Sequence, residues 1–171
     1  MPIKPIIPIS LIAEEGASLS SGSLRLYALL SGSSPKLGEG DPKGGGVCGA
    51  IDLYSYDPLN RRAAVGIMVA NEYRRQGHAL AMLQELHRLF SRPAGVILEI
   101  QEGRQNKDLQ DLQDFAKREP LIHQFYADIA ATNTASIALF RKAGYEECGR
   151  FKEWLSIDDT YIDTIRLQKI L

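Results

Sequence analysis

Cysteine, long apolar runs and an excess of charge of either sign are all scarce in this sequence. Its 171 residues include two cysteines, Cys48 and Cys148, so one disulfide is possible and a cysteine-rich metal site is excluded. Twenty basic residues balance twenty-one acidic ones, which argues against nucleic acid as the main partner. Because no stretch approaches the roughly 20 consecutive apolar residues of a membrane span, we expect no membrane-embedded segment.

The N-terminus also lacks the features of a targeting sequence. Residues 1–8 are apolar but contain three prolines, and they lack the longer apolar core and cleavage site of a signal peptide. We therefore expect a cytoplasmic protein. The length and the 44% hydrophobic content predict one globular domain, residues 1–171, with a full core.

The most informative stretch runs from Val65 to Phe90. Its unbroken apolar run, residues 65–70, predicts a strand covered on both faces, and apolar residues at three- and four-residue steps from Ala79 to Phe90 predict a helix. The turn between them would direct several backbone N–H groups at one point, where Gly77 lets an anion approach closely. The turn is neither a nucleotide P-loop nor a dinucleotide fingerprint, because the required Lys-Ser/Thr or three glycines are missing. An ordinary strand-to-helix turn is the alternative.

The rest of the chain predicts a mixture of α and β elements. We expect a short helix within residues 9–17, then strands over residues 24–30 and 47–56, separated by a flexible glycine-rich loop, residues 31–46. In the second strand, Asp52 shares one face with Tyr54 and Tyr56. A short strand (95–100) and a helix (106–119) are predicted next. A strand over 121–130, a helix over 132–143 that ends at Gly144, and two strands, 147–157 and 161–171, complete the pattern.

A second motif follows the predicted strand 121–130. It has the pattern Asn133-x-x-Ser136-x-x-Leu139-Phe140-x-Lys142-x-Gly144-Tyr145. Together with the upstream pattern Arg74-x-x-Gly77-x-Ala79, it resembles the two signature motifs of the GNAT (Gcn5-related) N-acetyltransferases. Residues 49–53 and 60–63 look most similar to the branch that holds the spermidine/spermine (diamine) acetyltransferases and their bacterial relatives. The resemblance implies an α/β fold of the GNAT acyl-CoA N-acyltransferase type, with a mixed central sheet splayed at the acetyl-CoA site.

The resemblance also implies a cofactor, acetyl-CoA, and the residues that bind it. The pantetheine arm would lie along the backbone of Ile67, Met68 and Val69. The pyrophosphate would bind the turn formed by Arg74, Arg75, Gln76, Gly77, His78 and Ala79. The second motif would add Asn133, Ser136, Phe140 and Lys142, with Asn133 bonded to pantetheine and Phe140 beside the sulfur. Asn133 acting only as a helix N-cap is the alternative. No metal site is expected.

The catalytic groups implied by the resemblance are few. A primary amine would attack the thioester directly, and a backbone N–H near Met68 would stabilise the oxyanion. Asp52 is the candidate to accept the amine proton or to bind a cationic amine; pairing with Arg61 or Arg62 is its alternative role. Many relatives have a tyrosine acid at the position of Phe140, and phenylalanine cannot replace it. Three tyrosines are reserve candidates for this acid: Tyr126, Tyr145 and Tyr161.

Two departures from the family concern its architecture. The chain before Leu24 is too short for the usual first strand and two helices, so the N-terminal elements are expected to be shortened. Residues 91–119 exceed the usual connection and predict an insertion. The expected acceptor is a polyamine or another small amine. A protein N-terminal amine, or a non-catalytic acyl-CoA-binding protein with a degenerate site, is the alternative. The edge of strands 147–171 predicts a homodimer.

Overall fold

The computed structural model describes residues 9–13, 22–30, 46–91 and 122–171. The predicted strand 95–100, helix 106–119 and most of the glycine-rich loop lie outside the described residues. So does the predicted insertion apart from its first residue, Ser91.

The described residues form a seven-stranded sheet and two α-helices. The strands are β1 (Ile9–Ala13), β2 (Ser23–Leu30), β3 (Val47–Asp57), β4 (Arg62–Val69), β5 (Gln124–Ala130), β6 (Glu146–Ile157) and β7 (Thr160–Ile170). The helices are α1 (His78–Phe90) and α2 (Thr134–Lys142), and a single 3₁₀ turn, Asn71–Tyr73, precedes α1. The strand order is β1-β2-β3-β4-β5-β7-β6, and only the β4–β5 pair is parallel. These elements confirm the predicted mixed α/β fold.

The first strand replaces a predicted helix. Ile9–Ala13 pairs antiparallel with β2, and its fully buried Leu11 lies opposite Ala28. Helix α1 packs against β1. The helical prediction for these residues was wrong. Pairing with β2 and packing against α1 bury this five-residue segment, whereas a short isolated helix would gain no such burial.

Both helices pack on the same face of the sheet. They contact each other and share one buried cluster with the strands, in which Ile51, Leu53, Phe125 and Leu167 are fully buried. Side chains that alternate with these residues lie on the opposite face, which we call the open face: Arg25, Asp52, Tyr54, Met68, Tyr126, Asp128 and Arg166.

The open face corrects two sequence predictions. Met68 is 59% exposed, so β4 is covered on one face and not on both. Tyr56 packs against the core and does not share the open face with Asp52 and Tyr54. Its orientation differs because the β3–β4 register shifts after Tyr54, where Ser55 adopts a φ of 49°.

Strands β4 and β5 separate soon after they begin. Only three residue pairs join them, and the last is Ala64 with Tyr126. Beyond this point β4 continues beside β3 as far as Val69, and β5 continues beside β7 as far as Ala130. The result is a wedge-shaped gap between residues 65–69 and 127–130, with its closed end at Ala64. This gap confirms the predicted splayed sheet.

A buried hydrogen bond joins α1 to the segment that follows α2. His87 Nε2 and the Tyr145 hydroxyl lie 3.0 Å apart and form this hydrogen bond. Burial, aided by the charge of Lys169, lowers the pKa of His87 to about 4, so the imidazole is neutral and able to accept at neutral pH. Gly144, with a φ of 88°, ends α2 and directs Tyr145 to this contact.

The two cysteines are not bonded to each other. Cys48 is buried, whereas Cys148 is exposed, and both are free thiols. None of the helices in the described part of the chain combines the length and apolar character needed to cross a membrane.

Candidate active site

The turn between β4 and α1 forms an anion cradle at the open end of the gap. Gly77 is the N-cap of α1 and adopts a φ of 93°, which favours glycine. Gly77 supplies no side chain to cap the helix, and the first hydrogen bond of α1 runs from the Ala81 N–H to the Gly77 carbonyl at 3.1 Å. The N–H groups of residues 78–80 therefore have no intrahelical partner, and the helix dipole adds to their attraction for an anion.

Side chains of the turn fix its shape. Arg74 Nε donates to the Val69 carbonyl at 3.0 Å, and Gln76 Nε2 donates to the Glu72 carbonyl at 2.6 Å. The buried His78 donates from Nδ1 to the Tyr73 carbonyl at 3.0 Å and packs edge-on against the Tyr73 ring. These contacts organise the backbone before any ligand binds.

A cavity of about 340 Å³ brings the two sequence motifs together. The first motif and its surroundings contribute Val69, Tyr73, Arg74, Arg75, Gly77, His78, Ala79 and Leu80, and the second contributes Ala135, Leu139 and Lys142. Three of these residues are cationic and none is acidic. The cavity therefore combines a positive charge, the helix N-terminus and an apolar wall, which suits a phosphorylated ligand with a long organic arm.

Some predicted site residues lie elsewhere. Asn133 caps α2, because its Oδ1 accepts from the Ser136 N–H at 3.1 Å. Phe140 is only 2% exposed and packs edge-on against Tyr145, with ring centroids 4.9 Å apart. The cavity wall includes none of Asn133, Phe140 and Gln76. Conversely, it includes Tyr73, Leu80, Ala135 and Leu139, which were not predicted as site residues; only Leu139 had a signal, because it belongs to the second motif.

The backbone along the gap requires a correction at Met68. The Ala70 N–H donates to the Cys48 carbonyl at 2.9 Å. Hydrogen-bonded pairs alternate along an antiparallel ladder, so Met68, two residues earlier, also bonds to β3. The N–H of Met68 therefore points at β3 and is not available as the oxyanion donor. Ile67 and Val69 occupy the intervening positions, so their N–H groups face the gap.

Asp52 forms an ion pair with Arg25 of β2. Its two oxygens accept from Arg25 Nε at 2.6 Å and from Nη2 at 2.8 Å, because β2 pairs with β3 and sets the two residues opposite each other. Arg62 pairs with Asp57 instead. The alternative role of Asp52, pairing with Arg61 or Arg62, is therefore wrong.

Two tyrosines flank the closed end of the gap on the open face. Tyr54 of β3 and Tyr126 of β5 both lie opposite Ala64. The Tyr54 ring lies 3.6 Å from the position that a Cβ on Gly66 would occupy. Burial, and next the charge of Asp128, raise the pKa of Tyr54.

The reserve tyrosines differ in their access to the gap. Of the three, Tyr126 alone borders it. Tyr145 is buried and hydrogen-bonded to His87, and Tyr161 is 66% exposed near the β6–β7 turn. Tyr54 was not named as a reserve, since only the strand pairing brings it to Ala64.

Comparison with known proteins identifies the family. The model of the acetyltransferase (GNAT) domain matches residues 35–146, more than half of the chain. The chain therefore belongs to the GNAT acetyltransferase family, which confirms the resemblance derived from the two motifs. A search of curated proteins finds no match.

Solved structures show the same fold at low sequence identity. The spermidine N-acetyltransferase of Vibrio cholerae in complex with CoA and spermine is 17% identical, has a TM-score of 0.60, and is aligned over 88% of this chain and 67% of that one. The ribosomal L7/L12 alpha-N-protein acetyltransferase RimL in complex with CoA is 16% identical, with a TM-score of 0.61 and coverage of 89% and 64%. The microcin C7 self-immunity acetyltransferase MccE, in complex with acetyl-CoA and AMP, is 12% identical, with a TM-score of 0.59 and coverage of 89% and 63%. The chain thus spans about two thirds of the length of the structures it matches.

The prediction of acetyl-CoA is consistent with this membership and fits the residues present. The amides of residues 78–80 and the cations of the cavity suit the pyrophosphate. The gap leaves the Ile67 and Val69 amides free for the pantetheine arm.

We expect Gly77→Ala to weaken CoA binding about tenfold, because alanine resists a φ of 93° and its methyl group disturbs the amides that face the pyrophosphate. Gly144→Ala is the matched control, since Gly144 has a φ of 88° and lies outside the cavity. Both variants should lose similar stability, and only Gly77→Ala should lose affinity in a calorimetric titration with CoA. Equal affinity in Gly77→Ala and the parent would contradict the assignment.

Proposed function

We propose that this chain transfers the acetyl group of acetyl-CoA to the primary amine of a small acceptor by direct attack on the thioester. The observation that supports this most strongly is the gap between β4 and β5, which opens at its wide end onto the anion cradle of α1. A ligand with a pyrophosphate at one end and an amide-containing arm at the other matches this arrangement. Acetyl-CoA supplies the activated acyl group.

The residues of the chain have separate tasks in this proposal. The amides of residues 78–80, with Arg74, Arg75 and Lys142, hold the pyrophosphate. The N–H groups that face the gap align the pantetheine arm, and that of Ile67 takes over the oxyanion role first assigned to Met68. Asn133 and Ser136 fix the start of α2 beside the arm.

The acceptor approaches from the open face. The helices cover the other face of the sheet, whereas Tyr54 and Asp52 lie on the open face beside Gly66, one strand from the gap. Asp52 remains our candidate to orient the amine or to accept its proton. Its bidentate pair with Arg25 already neutralises the carboxylate and leaves its outer lone pairs to accept from the neutral attacking amine, which favours the orienting role. Positioning then supplies most of the rate enhancement.

Phe140 has a packing role rather than a catalytic one. Its ring is buried against Tyr145, and it has no proton to donate. The absence of a tyrosine here also favours the second candidate function, a non-catalytic acyl-CoA-binding protein.

A protein N-terminal amine is the other acceptor class, and RimL, which shares the fold, is an acetyltransferase of that kind. We further propose a cytoplasmic location, where acetyl-CoA is available.

A thiol-release assay separates these candidates. We expect the purified chain to release CoA thiol from acetyl-CoA only when an acceptor amine is present, in a panel of polyamines, amino acids and peptides. Gly77→Ala should raise the KM for acetyl-CoA, and Gly144→Ala should not. CoA binding without amine-dependent thiol release across the whole panel would instead support the non-catalytic alternative.

We also propose a homodimer through the β6–β7 hairpin. Strand β6 is the last strand of the sheet, and the hairpin exposes Trp154 (65%), Tyr161 (66%) and Ile157 (48%). Such a cluster beside an open strand edge suits a second copy of the chain.

Light scattering at micromolar concentration should give twice the chain mass. Trp154→Glu should shift it to the monomer, whereas Leu59→Glu, at an 89% exposed turn position, should not. A monomeric parent would contradict the proposal.

A further inference from the structure

A second cavity lies on the open face at the closed end of the gap. Its volume is about 320 Å³, and its wall includes Arg62, Arg166, Gln124, Gln168, Ser55, Asp57 and Tyr126. Arg62 and Gln124 are the first residue pair of the short β4–β5 ladder, and Tyr126 belongs to the last. The cavity therefore begins where the acceptor amine would meet the gap, and its wall is rich in hydrogen-bond donors.

The carboxylates next to the gap are already engaged. Both oxygens of Asp52 accept from Arg25, as described above. Both oxygens of Asp128 accept from Arg166, at 2.7 Å from Nε and 2.6 Å from Nη2. An ammonium group arriving here would have to compete with a bidentate guanidinium at each carboxylate.

The third carboxylate, Asp57, lies in the cavity wall and is engaged by Asn60 and Arg62. Its Oδ1 accepts from the Asn60 N–H at 3.0 Å, and its Oδ2 accepts from Asn60 Nδ2 at 2.7 Å and lies 3.0 Å from Arg62 Nη2. These hydrogen bonds, with Arg62, lower the pKa of Asp57, so it stays charged and satisfied. The three carboxylates therefore match three guanidinium groups, and no net negative charge remains among them.

The guanidinium groups, in contrast, keep donors that no described residue uses. Each has five N–H donors. Arg166 gives Nε and Nη2 to Asp128 and stacks on Tyr126 and Phe151, with its Cζ 4.7 Å and 5.0 Å from the ring centroids. Arg62 contacts Asp57 through Nη2. The wall therefore combines two guanidinium groups that have spare donors with the amide side chains of Gln124 and Gln168. Such a wall attracts an anion more than a cation.

We propose that this cavity binds a carboxylate on the acceptor, so that the preferred substrate is a primary amine that also bears a carboxylate, and not a polyamine. Arg62 and Ala64 are two residues apart, about 7 Å along the strand. A short aliphatic linker between amine and carboxylate spans this distance. Acetylation of the amine rests on the proposed function, but binding of the carboxylate in the cavity does not.

Three five-carbon amines test the proposal, because they differ only in the group at the far end. These are 5-aminopentanoate, pentylamine and cadaverine, whose far ends are an anion, a methyl group and a cation. Each is titrated into the CoA-saturated chain, and each is also assayed for thiol release from acetyl-CoA. We expect 5-aminopentanoate to bind at least about tenfold more tightly than cadaverine, because its carboxylate can accept a charge-assisted hydrogen bond.

Two variants test the role of the guanidinium groups. Arg166→Gln removes donors and leaves Asp128 unpaired, so the preference should shift from 5-aminopentanoate towards cadaverine. Arg62→Gln should weaken 5-aminopentanoate binding and spare pentylamine. Arg150→Gln is the matched control, because it breaks an exposed ion pair with Asp163 outside the cavity and should change neither.

The binding and activity results separate the two proposals. Tight binding of 5-aminopentanoate without thiol release would overturn the proposed function and retain the carboxylate site. Thiol release with cadaverine binding as well as or better than 5-aminopentanoate would overturn the carboxylate site. Failure of 5-aminopentanoate to bind would overturn it too.

Discussion

The separation of β4 from β5 is the feature on which the rest of the site depends. A continuous ladder would pair every backbone group of both strands and leave nothing for a ligand. Because the ladder ends at Ala64 and Tyr126, Ile67 and Val69 keep N–H groups that no described strand satisfies. Backbone donors of this kind need a partner, and an extended ligand arm with amide groups can provide one.

The two faces of the sheet then have different tasks. The helix face supplies packing for α1 and α2 and sets the anion cradle at the wide end of the gap. In the described part of the chain, the open face has little apolar cover and holds instead a set of matched carboxylate and guanidinium groups near the closed end. The gap connects the two faces, so a cofactor bound from one side can meet an acceptor that approaches from the other.

Local patterns predicted much of the fold. The apolar run of β4, the periodicity of α1, and the glycines at positions 77 and 144 all gave elements that the structure confirms. Ile9–Ala13 failed because a five-residue segment takes its conformation from its neighbours in the sheet. The long-range β2–β3 pairing that gives Asp52 its partner Arg25 has no signal near either residue in the sequence.

The candidate site shows the same division. Arg74 to Ala79 form a cradle because strand, turn and helix N-terminus are contiguous in the chain. The choice of Met68 as oxyanion donor failed for a subtler reason: a shift of one residue exchanges the backbone groups that face the gap with those that face β3. The hydrogen bond from Ala70 to Cys48 fixes that register, and motif spacing cannot reveal it. Phe140 satisfied the motif, but its contacts are those of a core residue.

We propose that the pantetheine arm of CoA completes the edge of β4. Amide hydrogen exchange followed by NMR, with and without CoA, tests this at single residues. The exchange of the Ile67 and Val69 amides should slow by about tenfold or more once CoA is bound, while that of the Met68 amide, already bonded to β3, should change little. Slower exchange at Met68 with no change at Ile67 and Val69 would contradict it.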